Sequence, residues 1–310
     1  EELPDEQRYL SIEARAAARE LAAESMVLLK NSGATLPVAG DVRRIALMGP
    51  MADNRADLMG SWWGQGEAGD VVTILEGVKA EFAGKARIDY VKGCDFDGED
   101  RSEFARAAAA ARAADLVVLC VGEKRGWSGE NASRAGLALP SIQEEFVREM
   151  ARTGRPVVVL LSSGRPVDVR GIEPAADALV EIWQPGTEGG SAVAQLLSGK
   201  VNPSGRLAIT FPVCAEQQPV YYNQRQAARP KSGRYQNLRH EPMYSFGYGL
   251  SYSSFTYSDL QVKDGVGEVT VSFRLKNTGK RNGDEVAQVY VRIPETGGIV
   301  PLKELKGFRR

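Results

Sequence analysis

Two carboxylates, a tryptophan and three glycines lie within residues 121–134, Val-Gly-Glu-Lys-Arg-Gly-Trp-Ser-Gly-Glu-Asn-Ala-Ser-Arg. Glu123 and Glu130 are of the residue type that can exchange a proton with a substrate oxygen. The glycines allow the backbone to carry a side chain well away from its own sheet. Trp127 adds an apolar ring face whose N–H can still find a partner. This stretch therefore predicts acid/base chemistry beside an aromatic wall.

A buried strand precedes this stretch. Residues 116–121, Leu-Val-Val-Leu-Cys-Val, form an apolar, β-branched run that is typical of a parallel strand covered on both faces. In an open α/β sheet, ligands bind beyond the carboxyl ends of the strands, so the following loop is predicted to face a crevice. Trp62 and Trp63 follow an earlier strand, at 44–50, and two adjacent tryptophans in a glycine-rich loop do not easily face one core together.

The rest of the first two thirds of the chain repeats the same rhythm. An amphipathic helix is predicted from residue 11 to residue 30, and strands and helices then alternate, which is the pattern of βαβ units. We expect an α/β/α sandwich on a mostly parallel sheet over residues 1–213. The predicted strands are 44–50, 86–91, 116–121, 156–161, 178–183 and an edge strand at 205–212; the predicted helices are 73–83, 101–114, 141–152 and 187–197.

The pattern changes after this domain. Residues 214–254 are rich in prolines and tyrosines without a fixed period, which predicts an irregular but packed connector. From residue 255 the period becomes two, with clear alternation at 268–275 and 285–292, and this predicts an antiparallel β-sandwich. Such a domain has about 100 residues, so the sandwich over 255–310 is predicted to be incomplete.

Composition excludes several classes of function. The formal net charge is -1, so neither nucleic acid nor an anionic membrane is an expected partner. The three cysteines are widely spaced, which fits neither a disulfide scaffold nor a CxxC metal site, and we expect no metal and no cofactor. Residues 1–9 are charged and show no signal peptide, and no segment is apolar enough to span a bilayer.

Two other motifs favour different chemistry but do so weakly. Residues 64–69 match the dinucleotide fingerprint GxGxxG, yet they lie far beyond the end of the preceding strand. A flavodoxin-like nucleotide-binding domain is therefore the third hypothesis. His240 is the single histidine and no GxSxG elbow is present, so we interpret His240 as a surface or packing residue and not as part of a serine hydrolase.

Seven motifs in order along the chain resemble glycoside hydrolase family 3, in particular its periplasmic bacterial β-glucosidases. The resemblance spans nearly all of the chain, at residues 21–31, 48–54, 129–134, 139–143, 183–190, 202–206 and 244–252. In that family a (β/α)8 barrel comes first, an α/β/α sandwich second and a fibronectin type III-like domain third. This sequence is similar to the second and third parts, so the resemblance implies an N-terminal barrel as a partner and a periplasmic or secreted location.

The resemblance also implies roles for single residues. It makes Glu130 the general acid/base of a retaining β-glucosidase that acts on β-linked glucosides or oligosaccharides. The nucleophilic aspartate belongs to the barrel, so this chain alone is expected to be nearly inactive. A retaining enzyme needs its two carboxyl groups about 5–5.5 Å apart, and one can come from each domain. Glu123 is the competing acid/base candidate, which we interpret as a positioning residue.

The remaining candidates are expected to bind substrate. Family members present a tryptophan from the loop of Trp62 and Trp63 to the leaving-group side of the sugar, and Trp127 lies three residues before Glu130. Trp183, at the end of a buried strand, is expected in the core. Arg134 can pair with a carboxylate or lie on the surface. The second hypothesis for the whole chain is a stand-alone carbohydrate-binding or interaction module without catalysis.

Overall fold

The computed structural model describes residues 10–225, 237–292 and 300–310. Residues 226–236 of the predicted connector and residues 1–9 lie outside this range. The helices are α1 (Ile12–Ser25), α2 (Ile74–Glu81), α3 (Phe104–Arg112), α4 (Ser141–Ala151) and α5 (Gly189–Ser198). The strands are β1 (Val27–Asn31), β2 (Arg44–Met48), β3 (Arg87–Val91), β4 (Leu116–Gly122), β5 (Val157–Ser162), β6 (Ala178–Glu181), β7 (Phe255–Asp264), β8 (Val269–Asn277), β9 (Ala287–Val291) and β10 (Glu304–Arg309).

Six strands form one sheet in the order β1-β6-β5-β4-β2-β3. All neighbouring strands are parallel except β1, which is antiparallel to β6. Side chains of the central strands alternate between two hydrophobic clusters, as Cys120 and Val121 of β4 do. Helices α1, α2 and α5 cover one cluster, and α3 and α4 cover the other. The predicted α/β/α sandwich on a mostly parallel sheet is confirmed.

The start of the chain differs from the prediction. The single helix expected over 11–30 ends at Ser25, and residues 27–31 form β1 at the edge of the sheet. Ser11 caps the start of the helix, because its hydroxyl accepts the Ala14 N–H at 3.2 Å. The helical spacing of apolar residues continues past Ser25, but β6 offers the backbone of residues 27–31 hydrogen-bonding partners that local sequence does not reveal.

The edge strand predicted at 205–212 is not a strand of the sheet. Its backbone pairs instead with the end of the connector: the Leu207 N–H donates to Tyr248 O at 2.8 Å, and the Phe211 N–H donates to Tyr244 O at 2.9 Å. Strands β1 and β3 occupy the two edges of the sheet. The connector is therefore packed along the α/β domain where it is described.

The last part of the chain forms two antiparallel pairs, β7 with β8 and β9 with β10. The strands predicted at 268–275 and 285–292 are confirmed as β8 and β9. A partly buried ion pair joins this part to the α/β domain: Arg206 Nη2 lies 2.5 Å from Glu285 Oε2, and the Tyr257 hydroxyl donates to Glu285 Oε1 at 2.9 Å.

Candidate functional site

The strand order reverses at β2 and β4. The chain builds β3 on one side of β2 and then returns to place β4 on the other side. In open α/β sheets, ligands bind beyond the carboxyl ends of the strands at such a reversal. The loop after β2 carries Trp62 and Trp63, and the loop after β4 carries residues 123–140, so the fold brings the two predicted stretches together.

Side-chain hydrogen bonds join the two loops. Asp57 Oδ1 accepts the Arg125 N–H at 2.8 Å, and the Ser61 hydroxyl donates to Arg125 O at 2.7 Å. Ser61 and Ser128 hydroxyls lie 3.1 Å apart. Gln184, just beyond β6, accepts the Ser61 N–H at 3.3 Å and donates to the Ser128 hydroxyl at 3.4 Å. The loops therefore behave as one hydrogen-bonded unit.

Glu130 lies at the exposed tip of this unit. The preceding Gly129 has a φ of +105°, a conformation that residues with a Cβ rarely adopt. A Cβ there would approach Ser61 Cβ to 2.9 Å and Trp62 Cε2 to 3.9 Å. The backbone just before Glu130 thus packs against the tryptophan loop, with the Trp62 indole close to Gly129.

The four tryptophans have different surroundings. Trp62 is 74% exposed. Trp63 is 43% exposed, with the Arg125 guanidinium 4.5 Å from its ring centroid. Trp62 is therefore the more open ring face, whereas a cation already stacks on Trp63.

Trp127 and Trp183 are less accessible. Trp127 is half-buried, with Lys124 Nζ at 5.3 Å and the Arg134 guanidinium at 4.3 Å from its ring centroid. Its ring also meets Phe96 edge-on at 6.4 Å. Trp183 packs against the core as predicted, and its indole N–H donates to Ser25 O at 3.1 Å.

Glu123 is buried directly beneath the Glu130 loop. Its side chain is 1% exposed and is held by Arg165, which donates from Nη2 to Oε1 at 2.7 Å and from Nε to Oε2 at 3.0 Å. Arg134 Nη1 adds a contact to Oε1 at 3.1 Å. Arg134 therefore pairs with a carboxylate, one of its two predicted alternatives. The Arg134 guanidinium also lies against the Trp127 ring, so Glu123 fixes the position of Trp127 through Arg134.

Several residues of this site are not among those predicted from the sequence. Asp57 and Ser61 follow β2, Arg165 follows β5, and Glu181 and Gln184 lie at the end of β6. Only the sheet order brings these three segments together. A usable signal existed for two of them, because Arg165 and Gln184 directly follow predicted parallel strands, where binding residues concentrate.

Two other motifs lie apart from catalytic geometry. Residues 64–69 form an exposed loop, and helix α2 begins only at Ile74. His240 is exposed, and its carbonyl accepts the Gln217 amide at 3.2 Å. Within the described ranges, no cluster of three His, Cys, Asp or Glu side chains could hold a metal ion. Nor does any helix in that part of the chain combine the length and apolarity needed to cross a membrane.

Comparisons with known proteins identify relatives of this chain. The family model "Glycosyl hydrolase family 3 C-terminal domain" matches residues 26–252. A periplasmic beta-glucosidase from Salmonella typhimurium is 39% identical, over 96% of this chain and 43% of its own length. A beta-xylosidase from Formosa agariphila is 36% identical, again over 96% and 43%.

Solved structures agree with these sequences. A beta-glucosidase from Listeria innocua in complex with isofagomine matches with a TM-score of 0.92 at 36% identity, over 100% of this chain and 44% of that one. A mutant of the Listeria enzyme in complex with laminaribiose matches with a TM-score of 0.91 at 36% identity, over 99% and 44%. The chain thus spans less than half the length of these relatives.

Proposed function

The chain belongs to glycoside hydrolase family 3, and we propose that it supplies the general acid/base and an aromatic wall of a retaining β-glucosidase. Glu130 is the proposed acid/base. The observation that carries this proposal is the position of Glu130, an exposed residue that directly follows Gly129, where the hydrogen-bonded loop packs against the exposed Trp62. The nucleophilic aspartate is proposed to lie in an N-terminal (β/α)8 barrel that faces the loops after β2 and β4.

In the proposed reaction Glu130 acts twice. As an acid it protonates the glycosidic oxygen while the barrel aspartate attacks the anomeric carbon, which leaves a covalent glycosyl-enzyme. As a base it then takes a proton from the water that releases the sugar. An exposed loop suits this role because the carboxylate must reach about 5–5.5 Å from a nucleophile on another domain.

The tryptophans are proposed to bind the leaving-group side of the substrate. The open face of Trp62 offers apolar area to a sugar or aryl ring. Trp63 and Trp127 form the neighbouring walls, each stacked with an arginine, and Arg134 holds Trp127 in place. Glu123 is proposed to position Arg134 rather than to transfer a proton, since its carboxylate is buried and gripped by two guanidinium groups.

Substrate class and location are proposed from the relatives. The relatives include more beta-glucosidases than beta-xylosidases, so we propose terminal β-D-glucosyl residues of oligosaccharides or glucosides as substrate. A periplasmic or secreted location is proposed after the Salmonella relative. The proposed domains are the sandwich at 1–213, the connector at 214–254 and a fibronectin type III-like domain at 255–310.

The test uses the full-length enzyme, with the barrel present. Glu130→Gln should lower hydrolysis of oligosaccharides about 10²–10⁴-fold, while activated aryl glucosides, whose leaving groups need no proton, keep near-normal rates of glycosylation. Glu123→Gln is the matched control and should affect both substrate types alike. Equal loss on both substrates with Glu130→Gln, or a leaving-group effect confined to Glu123→Gln, would overturn the assignment.

The exposed Trp62 also fits a second function, a carbohydrate-binding module without catalysis. Calorimetry of this polypeptide with β-linked glucose oligosaccharides, together with an aryl β-glucoside assay, separates the two. Millimolar or tighter binding by the polypeptide alone, with a full-length enzyme that shows no dependence on Glu130, would favour the module. Robust turnover by the polypeptide alone would contradict the proposal that the nucleophile lies in another domain.

A further inference from the structure

Glu181 is a buried carboxyl group that neither the fold nor the proposed reaction explains. It is the last residue of β6, with 0% exposure, and it is flanked by Val27 of β1 and Leu161 of β5. None of the ion pairs among the described residues includes it. A buried carboxylate without a cationic partner is energetically costly, which favours the protonated form of Glu181.

The hydrogen atoms around Glu181 can be assigned one by one. The Trp183 N–H donates to Oε1 at 2.8 Å. Oε2 lies 3.1 Å from the Ser163 hydroxyl oxygen, and that same oxygen lies 2.8 Å from Arg165 O. A hydroxyl group carries one hydrogen, and a carbonyl oxygen can only accept. The shorter, 2.8 Å contact has the usual length of an O–H···O bond, so the serine hydrogen belongs there.

The remaining contact then requires a hydrogen from the carboxyl group. If Glu181 were ionised, its Oε2 would face the lone pairs of Ser163 Oγ with no hydrogen between them. If Ser163 turned its hydrogen to Glu181, the Arg165 carbonyl would lose its 2.8 Å bond at the base of the site. A protonated carboxyl satisfies both contacts at once.

The electrostatic surroundings agree with this assignment. Burial raises the pKa of Glu181 well above its ordinary value, and the nearby negative charge of Glu123 raises it further. The backbone N–H groups of Trp183 and Ser163 act in the opposite direction but do not reverse the effect of burial.

We infer that Glu181 carries its proton at neutral pH and donates it to Ser163, which fixes the turn at 163–165 and thereby positions Arg165. From that turn Arg165 grips Glu123 through Nε and Nη2 and also donates to the carbonyls of Arg134 and Gly136, at 3.2 and 2.9 Å. Glu181 is therefore a positioning residue. It acts on the loop of Glu130 through two intermediate residues and touches no substrate.

The protonation state has a direct spectroscopic test on the chain as it stands. Infrared difference spectra between the wild type and Glu181→Gln at neutral pH should contain the C=O stretch of a protonated carboxyl, shifted in D₂O. Ser163→Ala should move this band, because it removes the acceptor of the carboxyl hydrogen. A difference spectrum that contains only carboxylate bands would overturn the inference.

The positioning role has a separate readout. The Nε–H of Arg165 is hydrogen-bonded to Glu123, so its NMR signal should exchange slowly with water. Glu181→Gln keeps an N–H donor toward Ser163 and should preserve slow exchange, whereas Glu181→Leu should accelerate it about five- to tenfold. Equal exchange in both variants would reduce Glu181 to a packing role. If Glu181→Leu does not fold, Ser163→Ala gives the same comparison.

Both readouts are independent of glycoside chemistry. They need neither substrate nor the barrel, so their failure would leave the proposed role of Glu130 untouched. Conversely, loss of the Glu130 assignment would leave the proton on Glu181 in place.

Discussion

Truncation of Arg165 is expected to be among the most damaging single changes in the α/β domain. Its guanidinium lies 2.7 Å from Glu123 Oε1. At an effective dielectric constant of about 20, two charges at that distance attract by roughly 6 kcal/mol. Arg165→Ala leaves a carboxylate that is 1% exposed with only the 3.1 Å contact to Arg134. Water that enters the vacated space recovers part of the loss, so we expect destabilisation of about 3–5 kcal/mol.

Arg134→Ala is the matched control. Arg134 contributes a single contact from the more exposed side of Glu123, with 28% of its side chain accessible against 18% for Arg165. Its removal leaves the two-pronged grip of Arg165 intact, and the expected cost is about 1–2 kcal/mol. A double variant, Glu123→Gln with Arg165→Ala, should cost less than Arg165→Ala alone, because no buried charge is then left unpaired.

Urea unfolding followed by tryptophan fluorescence measures these differences. All four tryptophans lie between residues 62 and 183, so the signal reports on the α/β domain even if residues 255–310 unfold separately. The reasoning requires a lower midpoint at an unchanged slope for Arg165→Ala. If Arg165→Ala and Arg134→Ala differed by less than about 1 kcal/mol, the asymmetry derived from the two contacts would be refuted.

Three further measurements test other parts of the structure. Because the pKa of Glu181 is raised in the folded chain, the folded chain keeps a proton that the unfolded chain releases above about pH 4.3. The stability that Glu181 contributes is therefore complete below that pH and is lost as the pH rises toward the folded pKa. Urea midpoints across this window should therefore decline more in the wild type than in Glu181→Gln, and parallel curves would contradict the sign. In the full-length enzyme, Trp62→Ala should raise the KM for β-glucosides about tenfold and Trp63→Ala should raise it less, because the Trp62 ring is open whereas Arg125 stacks on Trp63. A larger effect of Trp63→Ala would reject Trp62 as the main substrate-binding ring. Burial raises the pKa of the thiols of Cys94, Cys120 and Cys214, that of Cys94 to about 12. A thiol reagent should therefore label no cysteine in the folded chain and all three in urea. Prompt labelling of the native chain would contradict their burial.

The alternation of strands and helices could be predicted because each βαβ unit is a local pattern. Apolar runs such as 116–121 and 156–161 mark strands by composition alone, and the loop that follows each strand has a predictable side of the sheet. The placement of Glu130 and Trp62 on the same side follows from this rule. The structure adds their proximity, which depends on the contact of Gly129 with Ser61.

Residues that depend on non-local pairing could not be predicted in this way. Arg165 and Glu181 lie far from Glu123 in sequence. From sequence alone, a charged residue at either position would be interpreted as an ordinary surface residue. Their roles follow from the adjacency of β4, β5 and β6. The helix predicted through residue 30 was wrong for the same reason, since the hydrogen-bonding partner of β1 lies in β6.

The pairing of β1 with β6 has a consequence for the order of events during synthesis. Residues 26–29, Met-Val-Leu-Leu, are fully buried in the finished domain, yet they leave the ribosome long before residues 178–181 have been made. During that interval the nascent segment has no native strand to pair with, and its local pattern favours continuation of the α1 helix. We therefore expect β1 to join the sheet late, when residues 27–31 change from a helix-favouring segment to a strand paired with β6. Translation pauses before residue 178 would prolong the exposure of this apolar segment to chaperones and to other nascent chains.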